Sequence, residues 1–88
     1  MKRVFTRPHV VTQFTTAYRS FDALVKALRN GAGPVQADLR YRYGRNVRRK
    51  TVKIIEVNDM FGCVVEDRSG RQLGYLKDNQ GNLEFWTS

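Results

Sequence analysis

Apolar and polar positions alternate along most of this chain, and one short segment breaks the alternation with a helical period. Val35, Ala37, Leu39, Tyr41 and Tyr43 are interleaved with Gln36, Asp38, Arg40 and Arg42, the period of two that predicts a half-buried strand. Phe21, Leu24, Val25 and Leu28 instead recur at i, i+3, i+4 and i+7, an apolar stripe on one face of a helix. This helix is predicted over residues 20–30. Ser20 stands where a side-chain oxygen caps the first turn, and Asp22 suits the positive helix end. Asp22 and Lys26 lie four apart on the outward face, acid first, which is the favourable order. Asn30-Gly31 and then Ala32-Gly33-Pro34 stop the helix. A helix this short is stable only when packed on something else.

The remaining segments read as strands. Val10 to Thr16 is rich in β-branched and aromatic residues and begins just after Pro8, with a weaker strand around residues 2–6. Beyond residue 50, strands are predicted at 51–57, Phe61 to Glu66, Gln72 to Lys77 and Leu83 to Thr87. Turns separate them at Asn58-Asp59, Arg68 to Arg71 and Asp78 to Asn82. Strands spaced by about 8–12 residues favour a meander that coils into a small barrel or a strongly twisted sheet. The fold class is therefore α+β, mostly β: an antiparallel meander packed against one helix that covers an open face or plugs an end. Trp86 reads as a core plug. An edge strand near residues 83–87, carrying Phe85 and Trp86, leaves both a monomer and a homodimer open. No repeat, low-complexity tract or linker divides residues 1–88, so one domain is expected.

Charge changes the picture more than composition does. The 88 residues hold 16 Lys and Arg against 8 Asp and Glu, for a net charge of +8. Residues 1–55 carry 13 of those cations and only two acids, Asp22 and Asp38, whereas residues 56–88 carry three cations and six acids. Between Arg40 and Lys53 there are seven cations and no acid. Such a surface attracts polyanions at long range. No apolar run approaches the roughly 20 residues that span a bilayer, and the N-terminus has no apolar core like that of a signal peptide. The single Cys cannot form an internal disulfide, which fits a reducing, cytoplasmic setting.

The candidate binding segment is therefore the predicted hairpin at residues 40–53, with its tip at Gly44 to Arg49. Arg40, Arg42, Arg45, Arg48, Arg49, Lys50 and Lys53 carry the expected contacts, and five of these seven are Arg, whose planar fork suits phosphate and base edges. Tyr41 and Tyr43 are secondary: they share a face with Ala37 and Leu39, so the packing role competes with base stacking. The chemistry fits DNA or RNA equally, because a two-stranded ribbon enters a groove and interleaved aromatics stack on single strands. An acidic protein surface is the alternative partner. His9 is alone in the sequence and reads as a surface or strand-edge residue, with no metal spacing around it. Cys63 lies in an apolar strand and reads as a small buried residue. No phosphate-binding Gly loop, nucleophile elbow or His-metal motif occurs, so no cofactor, metal or catalytic residue is expected.

Thr51 to Asp67 resembles the opening hairpin of cold-shock domains, with Phe61-Gly62 where that family has part of its first RNA-binding motif. Met60, Cys63 and Val64 stand where the family needs aromatics, and no binding residue carries over. A meander following a helix is also similar to small bacterial ribonuclease toxins, whose strand motif is missing. Three functions remain open. The first is a non-enzymatic nucleic-acid-binding protein acting through the Arg-rich hairpin. The second is an inhibitor of viral or mobile-element type that docks this hairpin on an acidic host protein. The third is a ribonuclease without a metal, using charge to stabilise its transition state.

Overall fold

The computed structural model describes residues 5–58 and 62–88. Their elements run β1 (Arg7–Thr15), α1 (Phe21–Arg29), β2 (Val35–Tyr43), β3 (Asn46–Asn58), β4 (Gly62–Glu66), β5 (Gln72–Asn79) and β6 (Asn82–Thr87). Each strand pairs antiparallel with the next, and β6 returns to β1 through Arg7↔Thr87 to Val10↔Glu84, closing a six-stranded barrel. Closure removes the edge expected at residues 83–87, since β6 is paired on both sides by β1 and β5. Self-pairing through that strand is thereby excluded as a route to a dimer. The weaker strand expected around residues 2–6 falls partly outside the described residues, and Phe5 and Thr6 are not in a strand. Asp59 of the turn expected at Asn58-Asp59 and Phe61, the expected start of the next strand, also lie outside them.

The inward positions of the six strands supply the core. Ala37, Leu39 and Tyr41 of β2 meet Val52 and Ile54 of β3, Cys63 and Val65 of β4, Leu76 of β5 and Phe85 of β6, all nearly or fully buried. A fully buried Leu or Phe contributes roughly 1.5–3 kcal/mol of transfer free energy, so these few side chains drive closure. Two sites demand glycine for space: a Cβ at Gly74 would collide with the Trp86 carbonyl oxygen, and one at Gly62 with that of Leu76. Trp86 is not the core plug. It follows the inward Phe85, so its ring lies outside the barrel, half-buried opposite Tyr75 and Pro8, with the Lys77 ammonium 5.0 Å from its centroid. Register shifts in β1 at Val11/Gln13, in β3 at Ile54/Glu56 and between β4 and β5 at Val65/Glu66 let short strands curve into closure.

Helix α1 closes one end of the barrel. The Ser20 Oγ accepts from the Ala23 N–H at 3.1 Å, and Lys26 pairs with Asp22 at 3.5 Å, as the local sequence dictates. Leu24 and Leu28 enter the core cluster, while Phe21 meets Phe14 edge-on with centroids 6.0 Å apart. Leu28 and Arg29 face the last residues of β3, from Ile55 to Val57. The other end of the barrel, where β2 finishes and β3 begins, has no helix over it among the described residues. No helix among the described residues is long and apolar enough to cross a membrane.

Candidate nucleic-acid interface

The hairpin β2–β3 projects from the uncovered end because its neighbours stop short. β3 pairs with β2 from Asn46 to Ile54, but β4 meets β3 only from Lys53 onward, and β1 follows β2 only as far as Tyr41. The connection is a two-residue turn, Gly44-Arg45, shorter than the tip expected from Gly44 to Arg49. Gly44 has φ +62° and Arg45 does not have positive φ. A glycine at the first central position is what a type II′ hairpin turn requires, and this turn matches the twist of the strands it joins.

That turn length sets the register, and the register divides the seven cations between two faces. Arg40 lies opposite Arg49, Arg42 opposite Val47, and Lys53 opposite Gln36 on the outer face. Arg48 lies opposite Tyr41 and Lys50 opposite Leu39, on the face that continues the barrel interior. The seven cations of the candidate segment thus fall into two patches, with Arg45 at the turn between them. Arg40, Arg42, Arg45, Arg49 and Lys53 are all exposed. None of the seven forms an ion pair among the described residues, in contrast to Lys26, which pairs with Asp22 in α1. Asp38, the acid within β2, has its Oδ1 accepting from the Thr51 hydroxyl at 3.0 Å. The outer face continues onto β1 through a shallow depression lined by Gln13, Thr15, Asp38, Arg40 and Arg49.

The two tyrosines also part company. Tyr41 is buried, with its ring 5.0 Å from that of Phe85 in an edge-on contact. Burial pushes its phenol above the usual value, and the positive charge of the nearby Arg48 guanidinium offsets part of that rise. Tyr43 is 41% exposed and lies at the rim, with Arg48 Cζ stacked 3.8 Å from its ring centroid. His9 was not expected here. It is half-buried at an inward position of β1, stacked on Tyr43 with ring centroids 5.5 Å apart and hydrogen-bonded through Nε2 to the Thr87 hydroxyl at 2.9 Å. The signal for it was the inward pair His9 and Val11 at a spacing of two, which only closure against β6 makes meaningful.

Between these groups the barrel mouth holds a depression of about 310 Å³, lined by Tyr41, Tyr43, Arg48, Lys50, Arg71 and Phe85, with Thr87 and Ser88 beside them. No acidic side chain lines it. Cys63 is fully buried in the barrel interior, and no group of three or more His, Cys, Asp or Glu gathers among the described residues. Fold and site together define a closed six-stranded antiparallel barrel bearing a cationic two-stranded ribbon. Comparison with protein families, curated proteins and solved structures finds no match to this chain.

Proposed function

We propose that this protein is a non-enzymatic nucleic-acid-binding protein whose outer hairpin face engages the phosphate backbone. The observation that carries the reading is the outer face itself: Arg40, Arg42, Arg45, Arg49 and Lys53, exposed on a projecting ribbon and free of ion pairs among the described residues. Two arginines directly opposite each other destabilise a strand pair unless an anion lies between or above them. A polyphosphate supplies that anion along the whole ribbon, and the two-stranded shape fits a duplex groove. Contacts of this kind orient a protein on nucleic acid without selecting sequence.

The test is an anisotropy titration of labelled duplex DNA, single-stranded DNA and RNA at several salt concentrations. Five charges engaging phosphates predict a log–log salt slope of roughly −4 to −5. Reversal of Arg42, Arg45 and Arg49 to Glu is expected to weaken binding severely while the circular dichroism spectrum stays that of the parent. A slope near zero, or unchanged affinity in the reversed variant, overturns the reading. A second reading then takes its place, favoured by the backbone edge of Asn46 to Val52, which pairs with β2 on one side only: the hairpin adds to an acidic extended segment of another protein.

A further inference from the structure

The barrel mouth has a composition different from the outer face and a different use. Arg48 and Lys50 are two residues apart on β3 and so lie side by side on the inner face. Arg71, just before β5, faces the same depression across the barrel end. Three cations therefore converge where strand packing leaves space. Asp67, in the turn that precedes Arg71, does not line the depression: its Oδ1 accepts from the Ser69 N–H, the Ser69 hydroxyl and the Arg71 N–H at 2.9, 2.6 and 3.0 Å, and its charge acts on that of Arg71. These bonds, led by the Ser69 hydroxyl, hold its carboxyl below the usual carboxylate range.

The second component is aromatic. Phe85, Tyr41, His9 and Tyr43 form a continuous run of ring contacts from the core to the rim, and the Arg48 guanidinium is stacked at its outer end. Stacking on Tyr43 fixes the guanidinium plane, so less side-chain entropy is lost when its N–H groups meet an acceptor. A guanidinium held this way offers one flat face to a base and its edge to a phosphate. The depression, at about 310 Å³, lies at the small end of ligand-site volumes and is too small for a duplex.

We propose that the mouth is a pocket for one unpaired nucleotide bearing a phosphomonoester, with the phosphate held by Arg48, Lys50 and Arg71 and the base against the Tyr43–Arg48 stack. The inference rests on the nucleic-acid reading above and names the strand end as the ligand. A terminal phosphomonoester carries more charge than an internal diester, and three cations in a lining that includes no Asp or Glu side chain favour that charge. Two sources share the chemistry: a phosphorylated strand end and a free nucleoside monophosphate.

The experiment compares four probes of the parent protein at one salt concentration: a short single strand with a 5′-phosphate, the same strand with a 3′-phosphate, the same strand ending in hydroxyls, and AMP. A phosphorylated end is expected to bind about tenfold more tightly than the hydroxyl-ended strand, the scale of one added charge-assisted contact set. In the Lys50→Gln/Arg71→Gln variant that ratio is expected to fall to near one. Tyr43→Ala is the second variant, chosen because it leaves every cation in place, and it should lower the ratio in the same direction. AMP that shifts the His9 and Tyr43 resonances, without any strand-end preference, also supports the pocket and assigns the free nucleotide as its source. A ratio near one in the parent with no AMP response overturns this inference alone. Loss of binding to every strand, with AMP silent, overturns the hairpin reading with it. Reversal of the outer-face arginines separates the two, since it is expected to weaken both strands and preserve their ratio.

Discussion

At the scale of single residues, the environment decided what the sequence left open. Tyr41 and Tyr43 carry the same side chain two positions apart on one strand face, yet only Tyr41 lies below the barrel rim. Nothing local distinguishes them, because the difference is where neighbouring strands end. Cys63 is the reverse case, since its apolar context already pointed inward and it is fully buried. Burial pushes its thiol from the ordinary 9.0 up to about 11, with the nearby Arg29 charge acting weakly the other way. The folded state thus holds this proton more tightly than the unfolded chain does. The associated stability is fully present below about pH 9 and is lost as pH rises towards 11, by roughly 2 kcal/mol at the upper end. Urea unfolding at pH 8 and pH 10.5 should show a larger loss in the parent than in Cys63→Ala. Equal losses would place the alkaline sensitivity on Tyr41, whose phenol shifts in the same direction.

At the scale of elements, the helix was legible to its cap and β2 to both of its boundaries, because each pattern is complete within its own segment. The start of β3 was not. Reading Gly44 to Arg49 as a tip concealed that Tyr43 pairs with Asn46, and the side-chain period of two then assigned Arg48 and Lys50 to no face at all. One glycine at the first central position of the turn was the available signal. The β5–β6 turn shows the same sensitivity to turn chemistry. Its central residues are Gln80 with φ 52° and Gly81 with φ 88°, the doubly positive pattern of a type I′ turn, and the Asp78 carboxylate accepts from the Gly81 N–H at 3.0 Å. Glutamine is strained in that region, whereas asparagine tolerates it. Gln80→Asn is therefore expected to stabilise the barrel by about 0.5–1 kcal/mol, raising Tm by roughly 2–6 °C. Gln80→Val should lower it, and calorimetry on the pair decides whether the turn or the strands limit this end of the sheet.

At the scale of the whole molecule, two properties depend on residues far apart in sequence. Closure joins β1 to β6, and the hydrogen bond between His9 and Thr87 links positions separated by 78 residues. No periodicity within a strand encodes that pairing, so a barrel and an open sheet were equally consistent with the pattern. The charge segregation, by contrast, was fully visible: the cation-rich run at 40–53 becomes the ribbon that extends past the rim. Its self-repulsion acts against folding, because Arg40 opposes Arg49 directly and no described carboxylate pairs with either. A like-charged pair in this position costs about 0.2–1 kcal/mol, and salt screens it. Raising NaCl from low to moderate concentration should therefore increase Tm by a few degrees, and Arg40→Gln/Arg49→Gln should lose most of that increase. A short duplex at low salt should raise Tm further in the parent, because a ligand that binds only the folded state stabilises it by mass action. If salt lowers Tm in the parent, the ribbon charges are compensated in the folded state, and the outer face is no longer an unsatisfied surface awaiting a polyanion.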